Sequence, residues 1–179
     1  MCGIFAAYDP QKSLTPSQLL GASKLLIHRG PDNQGYEWLN RNTLFFHHSR
    51  LKIIDLENHS NQPLSTEDRR FTVIFNGEIY NYQSLRLKIG SQWNWKTNSD
   101  TEVILACWTI YGKNCLDMLE GMFAFLIYDQ QQQKLFIARD RFGIKPLYYC
   151  KQNKKIFFSS EIPPLLQFLP QKLENKKII

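Results

Sequence analysis

Short runs of apolar and β-branched residues recur along the chain and predict eight β-strands. The predicted strands cover residues 4–8, 36–39, 43–48, 71–75, 122–128, 134–139, 147–150 and 156–159. Short polar segments join the second strand to the third, the fifth to the sixth and the seventh to the eighth. Because such short connections join antiparallel strands, we expect antiparallel sheets.

Apolar residues at helical spacing predict three helices, over residues 16 to about 28, 81 to about 89, and 100–111. Thr15 is the expected N-cap of the first helix, and Pro16 suits its first helical position. A fourth, short helix is expected from Glu161 onward, interrupted by the pair Pro163 and Pro164. The polar residues 55–70 predict a long surface loop. Strands come first, then helices, then strands again, and this order predicts an α+β domain with helices covering antiparallel sheets.

Composition limits the function classes. The chain has 179 residues, 43% of them hydrophobic and 21% charged, which is typical of one globular domain with its own core. There is no apolar stretch of membrane-spanning length and no signal peptide pattern at the N-terminus, so we expect a cytoplasmic protein. The net charge of +6 comes from scattered Lys and Arg residues, which does not favour a nucleic-acid partner.

The four cysteines form no CxxC pair and have no histidine at metal-ligand spacing, so neither a zinc site nor any other metal site is expected. They are Cys2, Cys107, Cys115 and Cys150. In a reducing compartment they are expected to be free thiols, three of them packed as small apolar residues.

Cys2 is the first candidate for chemistry. Met1 is removable because the second residue is small, and its removal leaves Cys2 with a free α-amine beside its thiol. An α-amine has an ordinary pKa of about 7.7–8.0, so its neutral form can accept the thiol proton and generate the nucleophilic thiolate. The alternative is a cysteine that packs at the start of the chain and has no chemical role.

Asn76 and Gly77 follow a predicted strand that ends at residue 75. An Asn side-chain amide and a Gly backbone N–H can converge on one oxygen and form an oxyanion hole. The alternative is an ordinary Asn-Gly turn, although no matching strand follows to complete a hairpin.

Three charged residues could together bind a free amino acid. Arg50 can hold a carboxylate with its guanidinium, while Glu78 and Asp100 can hold an ammonium group. The alternatives are a surface salt bridge for Arg50 and a helix N-cap at Ser99 or Asp100. Sequence spacing does not show whether these side chains meet.

Six segments, in the same order as in a known family, resemble the glutaminase domain (class II glutamine amidotransferase) of glutamine-dependent asparagine synthetases. They are residues 1–4 (MCGI), 28–32 (HRGPD), 50–55 (RLKIID), 75–81 (FNGEIYN), 99–102 (SDTE) and 138–149 (ARDRFGIKPLYY). Related domains of amidophosphoribosyltransferase and glucosamine-phosphate synthase typically lack the proline at Pro31 and differ after Gly77. The resemblance implies the four-layer αββα sandwich of the N-terminal-nucleophile hydrolases.

The resemblance also implies residue roles. Cys2 is the nucleophile, with its own α-amine as the base, and Asn76 and Gly77 stabilise the oxyanion. Arg50 binds the α-carboxylate of glutamine, and Glu78 and Asp100 bind its α-ammonium group. The backbone around Leu51, Ile53 and Ile54 is expected to line the same pocket. We expect a structural role, that of a buried ion network, for a separate charged set: Arg139, Asp140, Arg141 and Lys145.

The implied reaction is the hydrolysis of glutamine to glutamate and ammonia through a γ-glutamyl thioester on Cys2. The expected amidotransferase domain spans residues 1–162, and residues 163–179 are expected to be a tail or the start of a linker. The domain itself is expected to need no cofactor, because ATP and Mg²⁺ belong to the synthetase domain of the family. An ATP-dependent synthetase domain or subunit is therefore the expected partner. The alternatives are an inactive glutamine-sensing or interaction domain, and transfer of the ammonia to an acceptor other than aspartate.

Overall fold

Nine antiparallel strands form two sheets in the computed structural model, which describes residues 1–170. The strands are β1 (Gly3–Tyr8), β2 (Asn33–Leu39), β3 (Leu44–Arg50), β4 (Leu64–Ser65), β5 (Phe71–Ile79), β6 (Gly121–Asp129), β7 (Lys134–Arg139), β8 (Tyr148–Gln152) and β9 (Lys155–Ser159). The five-stranded sheet has the order β2-β3-β1-β9-β8, and the four-stranded sheet has the order β4-β5-β6-β7.

Four α-helices cover the outer faces of the sheets. They are α1 (Pro16–Lys24), α2 (Tyr82–Ile89), α3 (Asp100–Tyr111) and α4 (Ile162–Leu166). Short 3-10 helices lie at Ile27–Arg29, Asn40–Asn42, Asn58–Ser60, Gly90–Gln92 and Gly112–Asp117. One buried cluster joins α1 and α4 to the five-stranded sheet, a second joins α2 and α3 to the four-stranded sheet, and a third lies between the sheets. The result is a four-layer αββα sandwich. Over residues 1–170, no helix has the length and apolar character needed to cross a membrane.

The alternation of side chains along each strand builds these layers. In β1, Ile4 and Ala6 point into the space between the sheets, whereas Phe5 and Ala7 pack toward α1 and α4. Both faces of this strand are buried, so its sequence is continuously apolar instead of alternating with polar residues. Buried strands of this kind hold the N-terminus at one end of the sandwich.

Local capping agrees with the sequence at two helices. Thr15 caps α1 in a capping box, since its side chain accepts from Gln18 N and the Gln18 side chain accepts from Thr15 N. Ser99 caps α3 by accepting the N–H of Glu102. Because Ser99 is the cap, the side chain of Asp100 is not needed for that role.

The largest error in the predicted strands concerns β5, which does not end at residue 75. It pairs with β6 over its full length, from Phe71 opposite Asp129 to Ile79 opposite Gly121. Asn76 and Gly77 therefore lie inside a strand, and the alternative of an Asn-Gly turn is wrong. The pairing of nine β5 residues with β6 outweighs the local preference of Asn76 and Gly77 for a turn. The other seven predicted strands are present, with ends that differ by three residues or fewer.

Three smaller predictions are also wrong. The first helix ends at Lys24, and a separate 3-10 turn follows at Ile27–Arg29. Residues 55–70 are not a surface loop, because they contain β4 and the buried side chains of Ser60 and Gln62. The final helix is not interrupted, since its two prolines lie in its first turn, where no intrahelical N–H is required. Of the predicted tail or linker, residues 163–179, the last nine residues, 171–179, lie outside the described residues.

The predicted buried ion network is wrong as well, since its four members form no ion pairs with one another. Asp140 is buried, and its carboxylate accepts the backbone N–H groups of Phe123, Phe142, Ile144 and Lys145. Arg139 donates to the backbone oxygens of Lys145 and Gly143. Arg141 pairs with Asp117 at an exposed position. The segment is thus a backbone-clamped loop, and it directs Lys145 toward the interior.

Candidate active site

One cavity of about 180 Å³ lies at the end of the sandwich where β1 begins. All nine site residues predicted from the sequence line it: Cys2, Arg50, Leu51, Ile53, Ile54, Asn76, Gly77, Glu78 and Asp100. Among residues 1–170, no cluster of His, Cys, Asp and Glu side chains could hold a metal ion.

Strand periodicity explains why these residues meet. Leu44 and Phe46 of β3 pack between the two sheets, so Arg50, four residues beyond Phe46, shares their face. In β5, Ile74 points into the same space, and Asn76 follows it at the next inward position. Cys2 stands two residues before Ile4 and continues the inward face of β1. Both sheets thus direct polar residues into one end of an apolar layer.

Two contacts fix the position of Cys2. Its sulfur accepts the backbone N–H of Leu51 at 3.5 Å, and its carbonyl oxygen accepts Arg29 Nε at 2.9 Å. Burial raises the pKa of the Cys2 thiol, whereas the Leu51 N–H, the positive chain terminus and Arg50 oppose part of that rise. The thiol therefore needs a base to become nucleophilic near neutral pH.

Asn76 has a buried donor with no acceptor. The residue is 1% exposed, and its Nδ2 atom has no hydrogen-bond partner among the described residues. A buried amide left unpaired costs about 1–3 kcal/mol, so such a group is retained where a ligand can pair with it. The adjacent Gly77 has no room for a side chain, because a Cβ atom there would lie 2.3 Å from the carbonyl oxygen of Met122.

Arg50 is buried and held by its neighbours. Its Nη1 atom donates to Glu57 O at 2.8 Å and to Asn61 Oδ1 at 2.7 Å, and its Nη2 atom donates to Asp55 O. A guanidinium has five N–H groups, so these three bonds leave two for a ligand in the cavity. The side chain is therefore preorganised to bind a carboxylate.

Asp100 supplies a buried carboxyl group to the cavity from the first residue of α3. Its Oδ2 atom accepts the N–H of Ile79 at 3.1 Å. Burial raises the pKa of Asp100 to about 6, and repulsion from Glu78 adds to the rise, whereas backbone N–H donors oppose it. A cation bound beside Asp100 would favour the ionised form of this carboxyl group.

Several cavity residues were not predicted. Besides the nine, the walls contain Met1, Ser60, Gln62, Phe75, Ser99, Thr101, Met122 and Lys145. Gln62 joins β5 to α3, since its side chain accepts the N–H of Phe75 at 2.6 Å and donates to Thr101 Oγ1 at 3.0 Å. Lys145 was assigned to the ion network, because sequence alone does not show which side of a loop faces a cavity.

His48 also supports the site from outside its walls. It is fully buried, and its Nε2 atom lies 3.1 Å from the carbonyl oxygen of Phe75. Burial lowers the pKa of His48 to about 3, so the ring is neutral and donates this hydrogen bond from Nε2. The bond joins β3 of one sheet to β5 of the other, one residue before Asn76.

The fold and the cavity match those expected of a glutamine amidotransferase domain. Glutamine phosphoribosylpyrophosphate amidotransferase from B. subtilis superposes with a TM-score of 0.73 at 21% identity, over 92% of this chain and 43% of that one. This similarity confirms the predicted fold class. The sequence pattern of the glutamine amidotransferase domain matches residues 1–178, and the chain belongs to that family.

The curated relatives are considerably longer. Asparagine synthetase [glutamine-hydrolyzing] 1 of Bacillus subtilis is 42% identical over 171 residues, which cover 93% of this chain and 27% of the relative. Asparagine synthetase B [glutamine-hydrolyzing] of Escherichia coli is 38% identical over 169 residues, covering 93% of this chain and 30% of the relative. The predicted resemblance is thus confirmed, and the chain spans less than a third of the length of these two relatives.

Proposed function

We propose that this chain hydrolyses glutamine to glutamate and ammonia and supplies the ammonia to an ATP-dependent synthetase. The observation that carries the proposal is one cavity in which a cysteine, an unpaired buried amide, a carboxylate-binding arginine and two acidic residues face one another. These groups match the reacting carboxamide, the carboxylate and the ammonium group of glutamine.

Substrate binding uses charge at one end of the amino acid. The two remaining N–H groups of Arg50 hold the α-carboxylate, and the carboxylates of Glu78 and Asp100 hold the α-ammonium group. The backbone of residues 51–54 forms part of the wall. The carboxamide then lies beside the Cys2 sulfur, which the Leu51 N–H holds in place.

In the first half of the reaction, the neutral α-amine of Cys2 takes the thiol proton, and the thiolate attacks the carboxamide carbon. The carbonyl oxygen becomes an oxyanion, which accepts hydrogen bonds from Asn76 Nδ2 and the Gly77 N–H. The intermediate collapses when the C–N bond breaks and the Cys2 ammonium returns its proton to the leaving nitrogen. Ammonia departs and a γ-glutamyl thioester remains.

In the second half, the α-amine takes a proton from water, and the resulting hydroxide attacks the thioester carbon. The same two donors stabilise the second oxyanion. The C–S bond then breaks, glutamate leaves, and the sulfur recovers its proton from the ammonium group. No cofactor or metal ion takes part.

This mechanism requires removal of Met1. With Met1 present, the amine belongs to the wrong residue, and Met1 itself forms part of the cavity wall. Removal places the α-amine on Cys2 and enlarges the space beside the sulfur.

The four free cysteines suit a reducing compartment, and we keep a cytoplasmic location as part of the proposal.

The proposed partner is a synthetase that consumes ammonia before it is protonated in water. Exposed apolar side chains on β7, β8 and the loop between them form a surface for such a partner, which we name the apolar face: Ile137, Phe142, Ile144, Tyr148 and Tyr149. Phe142 is 90% exposed. ATP and Mg²⁺ would bind to the partner and not to the amidotransferase domain. The names of the relatives make aspartate the first acceptor to test.

A glutaminase assay tests the proposal. Wild-type protein and Cys150→Ser should release equal amounts of ammonia and glutamate from glutamine, whereas Cys2→Ala should release neither above background. Cys150 is a suitable control because it is a partly exposed thiol on β8, outside the cavity. The rival function, an inactive glutamine sensor, predicts glutamine binding with no ammonia from any of the three proteins.

A further inference from the structure

We infer that Lys145 is a further residue of the glutaminase site, and that its ammonium group stabilises the thiolate form of Cys2. The inference rests on the proposed function and adds a residue to the site. The sequence predicted a different role for Lys145, as a member of a buried ion network.

The first observation is a buried cation without an anionic partner. Lys145 is 4% exposed and lines the cavity that contains Cys2. Among residues 1–170 it forms no ion pair, and its Nζ atom instead contacts the sulfur of Met1 at 2.8 Å. A buried charge without a close partner is costly, and three groups can offset part of that cost: Glu78, Asp140 and, when ionised, Cys2.

The second observation is that the backbone of Lys145 is clamped. Its N–H donates to Asp140 Oδ2 at 3.0 Å, and its carbonyl oxygen accepts Arg139 Nε at 2.7 Å. Asp140 also accepts the N–H of Ile144 at 2.9 Å, so the loop cannot turn this residue outward without breaking several hydrogen bonds. The side chain is therefore positioned before any ligand arrives.

Removal of Met1 would leave the ammonium group without its sulfur contact and beside the new N-terminal residue. The anion that the reaction forms on this residue is the Cys2 thiolate. An ammonium group near a thiolate favours the ionised form and increases the nucleophile's concentration near neutral pH.

Other charges act on the same sulfur and must be included in the balance. Arg50 and the positive chain terminus favour the thiolate, whereas Asp100 opposes it. Two further charges lie nearby: Arg29, which donates to the Cys2 carbonyl oxygen, and Glu78 in the cavity wall. Burial and the nearby Arg29 lower the pKa of Lys145, while Glu78, Cys2 and Asp140 raise it. The attraction between Lys145 and Cys2 is thus one of several opposing interactions, and removing the lysine charge should have a measurable effect on the thiol.

The test is the pH dependence of Cys2 alkylation by iodoacetamide, followed by mass spectrometry of the N-terminal peptide. It compares wild-type protein with Lys145→Met, which keeps the length but removes the charge, and Lys145→Arg, which keeps the charge. The alkylation midpoint should rise by about 1 pH unit in Lys145→Met and stay near wild type in Lys145→Arg. Because one unit reduces the thiolate fraction about tenfold, kcat/KM near neutral pH should fall about tenfold in Lys145→Met.

Lys151→Met is the matched control, since Lys151 is an exposed lysine on β8 outside the cavity. An unchanged midpoint in Lys145→Met would overturn the inference. A second neutral variant, Lys145→Gln, guards against misfolding, and loss of near-UV circular dichroism in both would also count against it, because the residue would then be structural. Alkylation does not depend on glutamine. If wild-type protein is inactive while the midpoint shifts, the proposed function fails and the electrostatic role of Lys145 stands.

Discussion

Leu51 directs its backbone N–H at the sulfur of Cys2, 3.5 Å away, across the gap between the end of β3 and the start of β1. The bond places the sulfur at the one end of the sandwich where the inward positions of both sheets are polar. An N–H donor favours the thiolate over the thiol, because only the anion is a strong acceptor. The position of the sulfur thus depends in part on a backbone donor, which side-chain substitutions elsewhere in the cavity should leave in place.

Asn76→Ala tests the oxyanion hole. Loss of the Nδ2 donor should lower kcat by about 10²–10³-fold, because the donor pairs with charge that exists only in the transition state. KM should change little. The measurement is steady-state glutaminase kinetics, with Thr72→Ala, on the same strand but outside the cavity, as the control. A rise in KM comparable to the fall in kcat would show that Asn76 binds ground-state glutamine.

Gly77→Ala tests the close packing behind that donor. An added Cβ atom would lie 2.3 Å from Met122 O and 2.8 Å from Phe123 Cα, so the backbone of β5 or β6 must move. We expect destabilisation by about 1–3 kcal/mol, seen as a lower midpoint in urea unfolding. Gly21→Ala is the control, because a Cβ atom there meets nothing within 4 Å and the site is helical. It should stabilise the protein by about 0.5–1 kcal/mol. Equal midpoints for the two variants would contradict the packing argument.

From the raised pKa of Asp100 we predict that glutamine binding depends on pH. Burial raises the pKa of Asp100 to about 6, so the free carboxyl group becomes protonated as pH falls through that value. Only the ionised form holds an ammonium group well, so glutamine affinity should fall as pH drops below about 6. Titration calorimetry on Cys2→Ala measures binding without turnover and should detect proton release near that pH. Affinity that is constant between acidic and neutral pH would show that Asp100 does not contact the ligand.

Phe142→Ser tests the apolar face. The chain alone should keep its glutaminase activity and unfolding midpoint, because this side chain is 90% exposed. In the presence of the synthetase partner, more ammonia should escape per asparagine formed, since a looser interface lets it reach water. The ratio of glutamate to asparagine measures this escape. A ratio equal to that of the wild type would place the docking surface elsewhere.

The sequence predicted nine residues that line one cavity, but not the geometry that brings them together. From the residues alone, Cys2 and Asn76 kept structural alternatives, a packed cysteine and an Asn-Gly turn, and the family resemblance supplied their expected roles. The continuation of β5 beyond residue 75 could not be predicted from the sequence, because Asn-Gly locally favours a turn and only pairing with β6 overrides that preference. Lys145 was misassigned for a similar reason, since the hydrogen bonds that turn it inward come from Asp140 and Arg139.

The central claim is that Cys2, as the N-terminal residue, carries a γ-glutamyl group during turnover. The most direct measurement is mass spectrometry of the N-terminal peptide from active protein mixed with glutamine and quenched in acid. We predict a peptide that begins at Cys2 and carries one glutamyl group, which hydroxylamine removes. An active protein that retains Met1, or that accumulates the glutamyl group on another residue, would contradict the account.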